Sequence, residues 1–404
     1  MLLNSSKTKQ IVFDMFINLL GTGISLVILQ LFIYPIAAQN IDADSYGEMQ
    51  SVMSLVYLVG GTLGGALSTT RLVREYEYQE KKISADFNLL FIFCFFIIIL
   101  FLPFFLYLYL ENVEPFSIFL IIVIALLNYA VNYFNVGLRL NLDYKAIFID
   151  KILASIGYGI GFVLFYYTLT WQYIFICSGL IEIGYLLVKT NLAAEPYKKS
   201  ILFVSTAKSF GNLSIANLLT KALTYFDKLI LYPLLGGEAV SIYFAANVFG
   251  KLMLQTMEPV TNVLLSYLSR KKRISGSLWK TVIPISIVIC FVLYVLCVLI
   301  SKPVLTIFYP QWVNEAYKLI PLATLSLAIS SFIQILYPFT LKAVETSRQI
   351  VINAGGLGIY IISVILLYRR AGLVGCCVAL LISYITKLIL MFYFCFKEKS
   401  GNEK

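Results

Sequence analysis

Long apolar runs separated by short polar connections set the rhythm of this chain. A helix needs about 20 consecutive, mostly apolar residues to cross a bilayer core. Twelve runs meet that rule, at approximately 11–38, 47–70, 87–110, 116–138, 147–169, 172–190, 213–235, 239–268, 279–300, 317–340, 349–368 and 372–396. The third, LLFIFCFFIIILFLPFFLYLYL, carries no charge. Only Thr170 and Trp171 part the fifth from the sixth, and the eighth is long enough to overrun a membrane. The pattern predicts an all-α integral membrane protein with the lipid bilayer as its main partner. The polar start, MLLNSSKTKQ, leads into a full-length span rather than a short core with a cleavage site. The first helix is therefore expected to stay as an anchor.

Composition narrows the class. Hydrophobic residues make up 60% of the chain and charged residues 13%, with a mean hydropathy of +0.87. Soluble domains stop gaining core well before such proportions. The net charge of +10 then speaks for basic residues gathered in cytoplasmic loops, not for a nucleic-acid partner. With the N-terminus inside, the inner connections hold most of the Lys and Arg, including the run Arg270, Lys271, Lys272, Arg273. The outer connections hold Lys302, Lys318, Arg369 and Arg370, and four lysines (Lys221, Lys228, Lys251 and Lys387) fall inside spans. Both termini are expected in the cytoplasm. Histidine is absent, which removes imidazole metal ligands and the commonest general base. The seven cysteines lie in apolar spans and read as packing residues, so no metal or cofactor is expected.

The chain also repeats itself. LFIYPIAAQNIDADSYGEMQSV, starting at Leu31, returns half a chain later within Tyr225–Gly250, YFDKLILYPLLGGEAVSIYFAANVFG. Tyr34-Pro35 answers Tyr232-Pro233, and Tyr46 answers Tyr243. Asn18-Leu19-Leu20 resembles Asn217-Leu218-Leu219. Further on, Arg139, Lys145 and Asp150 align with Lys342, Arg348 and Asn353 at a constant offset of 203. Six spans per copy is an even number, so the copies run parallel. The expected organisation is an N-terminal lobe over 1–195, a cytoplasmic linker over 196–212 and a C-terminal lobe over 213–404. These would be two pseudo-symmetric six-helix lobes around a central cavity.

Polar residues inside the spans mark where such a cavity would be lined, because ionisable groups in lipid are expensive. In the fourth span Asn128, Asn132, Asn135 and Arg139 share one helical face. The seventh span sets Asn217, Lys221, Thr224 and Lys228 in line, with Asp227 on the flank. In the eighth, Asn247, Lys251, Gln255 and Glu258 follow one another up to Pro259, where a kink is expected. Asp14 sits near the inner end of the first span, and Glu182 stands alone in the sixth. Each has a plainer reading. Asn and Gln also serve as hydrogen-bonding glue between helices, and a lysine near a helix end snorkels. Arg139 reads equally as a positive-inside anchor, and Asp14 as the partner of an inner-loop cation. Glu182 is either a proton-linked carboxylate or the partner of a lysine on another span, the pairing being favoured. Lys221, Lys228 and Lys251 lie deeper and suit an anionic visitor such as a diphosphate, unless Asp227 and Glu258 neutralise two of them.

Four stretches carry a family resemblance: YPIAAQNIDADSYGEMQSVMSLV, FDKLILYPLLGGEAVSIYFAAN, LKAVETSRQIVINAGGLGIYIISVILL and AGLVGCCVALLISYI. Together they resemble the polysaccharide (Wzx-type) flippases of the multidrug/oligosaccharidyl-lipid/polysaccharide exporter superfamily. The short loops set the chain apart from the related lipid II flippases, which have extra spans. The resemblance implies translocation of an undecaprenyl-diphosphate-linked oligosaccharide repeat from the inner to the outer leaflet of a bacterial plasma membrane. It implies alternating access by a monomeric transport unit working beside polysaccharide polymerase machinery, with no catalysis of its own. Lys221, Lys228, Lys251 and Arg139 would then attract the diphosphate, and the Asn-rich faces would meet sugar. Two other classes stay open. A cation-coupled small-molecule exporter of the same superfamily calls for buried carboxylates. A membrane-embedded polymerase or acyltransferase calls for a large polar outer loop or a catalytic histidine or carboxylate set.

Overall fold

The computed structural model of the protein describes residues 5–110, 114–269, 276–344 and 346–401. The side chains of 5–12, 14, 15, 18, 256, 258–260, 262–269, 276–281, 341–343, 346, 347 and 396–401 lie outside that description. Helix runs through almost all of the rest, and no strand occurs among the described residues. Among the described residues, ten helices are long and apolar enough to cross a membrane. Two of these are double. Phe203–Ser269 breaks at Gly236 (φ 83°, ψ 174°), and Thr346–Gly401 breaks at Gly372 (φ 51°, ψ −131°). Such positive φ values suit glycine and few other residues, so each break is a turn that its glycine makes possible.

Counting the halves separately gives twelve helices, as the apolar runs predict. Ser5–Val27 continues through a π-helical turn, Ile28–Ile33, into Tyr34–Asn40, and the three together form α1. The π turn sits where Pro35 withholds a backbone donor from the preceding turn. α2 is Ala43–Glu80, α3 Phe87–Tyr109, and α4 Pro115–Phe134 with its continuation Val136–Leu140. α5 is Tyr144–Thr168 and α6 Gln172–Lys189. α7 (203–235) and α8 (237–269) are the first double helix. α9 is Gly276–Phe308, α10 Val313–Ala343, and α11 (346–371) and α12 (373–401) complete the chain.

The chain clusters into two compact units, Met1–Asp42 with Ser51–Lys221, and Ala43–Gln50 with Ala222–Lys404. The boundary thus falls inside α7, and the first two turns of α2 group with the second unit. Within the expected linker, 196–212, the chain is helical from Phe203 onward. An apolar run begins well inside its helix, because the helix starts in the polar margin.

In the first unit the stretch ahead of α7 is fastened down. Arg71 of α2 makes a two-pronged ion pair with Glu195 and donates to the Tyr133 hydroxyl at 3.2 Å. Asn88 Nδ2 donates to the carbonyls of Leu192 and Glu195, both at 2.9 Å. Buried Asp86 accepts from Tyr78 Oη and from the Ser200 backbone, each at 2.6 Å. A carboxylate with that many donors needs no cation to be buried.

In the second unit the start of α2 crosses the α7–α8 turn. Gly47 lies against the Gly237 carbonyl so closely that a Cβ there would fall 1.8 Å from it. Asp44 Oδ1 accepts from the Gly237 backbone at 2.8 Å, and Ser241 Oγ donates to the Ala43 carbonyl at 2.5 Å. Tyr46, fully buried, packs its ring on Phe244 and Trp312.

Candidate functional site

Asp227 is the centre of the polar interior of the second unit. Its side chain is almost fully buried on α7. Oδ1 accepts from the Lys228 backbone at 2.8 Å, and Oδ2 faces Lys251 Nζ of α8 at 3.4 Å. Lys228 is only 7% exposed. Its ammonium reaches Gln50 Oε1 at 3.5 Å, the long end of a hydrogen bond, and lies 4.9 Å from the centroid of the Phe244 ring. A cation over an aromatic face gains from the ring quadrupole. Lys251 is also within electrostatic reach of Lys228. Among the described residues, one carboxylate therefore answers two ammonium groups.

The other polar residues of α8 serve packing as much as any cavity. Asn247 is wholly buried and donates back to the Tyr243 carbonyl at 2.8 Å. Gln255 Oε1 is buried with no hydrogen-bond partner among the described residues. Glu258, like Asp14 of α1, has a side chain outside the described residues.

The first unit holds a second cluster, with the opposite balance. Lys151 Nζ lies 3.1 Å from Asp150 Oδ2 and 2.5 Å from Glu182 Oε1. Asp150 is fully buried, and Asn135 Nδ2 points at its Oδ2 from 3.4 Å. Charge counting along the chain puts Lys151 in an inner connection. The structure corrects this, placing it in the second turn of α5. The lone carboxylate Glu182 is thus met by a lysine from the neighbouring helix.

The asparagine stripe of α4 divides between two neighbours. Asn135 turns to α5, whereas Asn132 donates to the Asn128 carbonyl at 2.8 Å and both lie against α2. The reason is a glycine pattern that charge reading passes over, GGTLGG at 60–65. Gly60 and Gly64 admit Asn128, Tyr129 and Asn132 of α4, a Cβ on Gly64 falling 2.6 Å from the Tyr129 carbonyl. Gly61 and Gly65 admit α7, a Cβ on Gly61 falling 2.3 Å from Lys221 Nζ and one on Gly65 3.6 Å from Asn217 Nδ2. Two interleaved small-xxx-small pairs, the usual signature of close helix approach in membranes, would have found this packing. By compactness Lys221 groups with the first unit, and Lys228 and Lys251 with the second. Arg139 is exposed at the end of α4.

No protein-family model matches the sequence, and no curated protein matches it. Solved structures do match. The lipid II flippase MurJ, in an inward closed conformation, superposes with a TM-score of 0.70 at 15% identity, over 96% of this chain and 86% of that one. A eukaryotic MATE transporter, AtDTX14, gives 0.69 at 11% identity over 98% of both chains. An inward-facing multidrug resistance MATE family transporter of the MOP superfamily gives 0.64 at 13% identity over 96% of both. The chain has the MOP-superfamily fold. At these identities the likeness is one of fold, and it holds nearly end to end for MATE structures and MurJ alike. The all-α, multi-span architecture expected from the apolar pattern is therefore that of the MOP transporters.

Proposed function

We propose that this chain is a flippase that moves a diphosphate-linked oligosaccharide lipid from the cytoplasmic to the outer leaflet, for surface polysaccharide assembly. One observation carries the reading: Lys228 and Lys251 lie buried or half-buried around a single carboxylate, Asp227. Two lysines gathered at one carboxylate at membrane depth form a cationic, costly polar interior, and a diphosphate is a visitor that such a site would favour. The fold shared with a lipid II flippase supports a lipid-linked cargo. In this reading the chain is a monomeric, non-enzymatic transport unit of a bacterial plasma membrane, with both termini in the cytoplasm. It works by alternating access beside polysaccharide polymerase machinery.

Deleting the gene tests the reading directly. Lipid-linked repeat units are expected to accumulate on the cytoplasmic leaflet, and accumulation on the outer leaflet would point to a polymerase instead. Lys228→Glu and Lys251→Glu should each abolish polymer export at normal protein level.

A second reading, cation-coupled export of a small molecule, has one observation in its favour. The Asp150–Lys151–Glu182 cluster holds two buried carboxylates against one ammonium, and Asp150 Oδ1 has no hydrogen-bond partner among the described residues. Such a group can take up a proton or a small cation. Raised drug sensitivity in the deletion strain, with polymer export intact, would select this alternative.

A further inference from the structure

Lys387 is an intramembrane lysine that the two clusters above leave unused. It lies on α12 (373–401), about 21 Å from the start of the helix and about 14 Å from residue 396, where the apolar run ends, at the rise of an α-helix. That depth is beyond what a snorkelling side chain bridges. Its position on the helix faces inward. Leu380, Tyr384 and Met391, which share its stripe, are all buried, while Ile382, Ile385 and Ile389 on the opposite side are exposed where lipid would lie. The lysine itself is half-buried. The stem of the lysine has a prepared bed. It runs along Gly356 of α11, where a Cβ would meet the lysine Cβ at 3.4 Å and its Cδ at 3.7 Å. Ser383 Oγ pins the same place by donating to the Gly356 carbonyl at 2.7 Å.

Among the described residues Lys387 makes no ion pair and no hydrogen bond. It is nonetheless connected to the Asp227 region. Tyr384, one turn before it, and Tyr360, one turn after Gly356, both lie within electrostatic reach of Asp227. Tyr360 is fully buried, and its hydroxyl has no partner among the described residues.

We propose that Lys387 is a phosphate-binding residue of the second unit, taking a phosphate group borne by a lipid. The inference deepens the flippase reading and rests on it. The chemistry calls for a phosphate oxyanion on a molecule with an apolar tail, since Lys387 lies far from both membrane surfaces. Two sources carry such a group, the diphosphate of a prenyl-linked cargo and the headgroup of an anionic phospholipid. The cargo is the one assigned here.

The test is binding of farnesyl diphosphate to the full-length protein in phosphatidylcholine nanodiscs, for wild type, Lys387→Gln and Lys387→Arg. Loss of one charge-assisted contact should weaken binding about 10- to 100-fold in Lys387→Gln, and Lys387→Arg should restore most of it. Thermal unfolding of Lys387→Gln should occur at or above the wild-type temperature, since no partner loses its charge. A marked fall would reveal a structural ion pair and overturn the proposal. Equal binding by wild type and Lys387→Gln would also overturn it while leaving the flippase reading intact. If wild type fails to bind farnesyl diphosphate, the flippase reading itself falls and this inference with it. Adding phosphatidylglycerol to the discs separates the sources. Strong competition in wild type but not in Lys387→Gln would assign the site to a membrane headgroup, against the cargo.

Discussion

Each unit buries a charge cluster among its helices, and these two clusters are opposites. The first sets Asp150 and Glu182 against Lys151, and the second sets Lys228 and Lys251 against Asp227. The sequence repeat sharpens the contrast. Asp150 aligns with Asn353 of α11, which is also buried but carries no charge. The position has been kept and the carboxylate lost. Surplus charge of either sign is costly in a low-dielectric interior. In the readings proposed above, the first cluster would take a proton or cation and the second an anion. Duplication explains why both units are helical bundles with similar hairpins. It leaves their chemistry free to diverge.

The comparison breaks most visibly if a cluster loses its minority charge. Lys151→Met would leave Asp150 and Glu182 facing each other with no cation between them. The expected cost is about 3–5 kcal/mol, the usual penalty for breaking a buried pair from one side. Glu182→Gln keeps the Asp150–Lys151 pair and should cost clearly less. Thermal unfolding of both variants in one detergent measures the difference. Equal stability of Lys151→Met and wild type would mean that the first cluster is not held by Lys151.

The mirror experiment in the second unit is smaller in effect, because one of its lysines already leans on an aromatic ring and Gln50. Asp227→Asn leaves two ammonium groups without their shared carboxylate, whereas Lys251→Gln leaves one acid and one base. Asp227→Asn should be the more destabilising, and the Asp227→Asn/Lys251→Gln pair should show coupling of about 1–3 kcal/mol. A double-mutant cycle on unfolding midpoints reads it. If Lys251→Gln costs more than Asp227→Asn, the second unit does not carry the cationic surplus argued here.

Much of this was legible in the residues, and the gaps have physical causes. Twelve helices follow from apolar runs, because span length is set by membrane thickness and not by tertiary packing. The two turn glycines escape a hydropathy count, since Gly236 and Gly372 interrupt the backbone without interrupting the apolar run. Helical spacing put Asp227 beside Lys228 on one helix. That Lys251 of the next helix faces the same carboxylate follows from the tight Gly236 turn. Asp150 and Lys151 were passed over because they sit near an inner helix end, where charge reads as an anchor. Their burial comes from α4 and α6 closing over them, a tertiary effect with no local signature. The stripe Asn128–Asn132–Asn135 splits between neighbours because a helix face wider than one contact is shared, which periodicity alone does not divide.

The smallest effects compare the closing helix pairs of the two units. In the first, Gly157 and Gly161 of α5 let α6 approach backbone to backbone: a Cβ on Gly161 would fall 2.4 Å from the Tyr173 carbonyl. Backbone does not give way, so Gly161→Ala should cost about 1–3 kcal/mol as overpacking. In the second, Gly355 of α11 meets only the tip of Leu390, at 2.9 Å from a built Cβ. A leucine tip can change rotamer, so Gly355→Ala should stay within about 1 kcal/mol of wild type, helped by the helix propensity of alanine. Gly159, with nothing within 4 Å of a built Cβ, is the control and should be neutral or slightly stabilising when changed to alanine. Unfolding midpoints of the three variants, taken together, test whether α5 and α6 are locked by backbone contact while α11 and α12, away from their turn at Gly375 and Leu367, are joined through side chains. Only the second kind of joint leaves room for a lysine stem such as Lys387 to lie between helices. A Gly355→Ala variant as damaged as Gly161→Ala would remove that distinction.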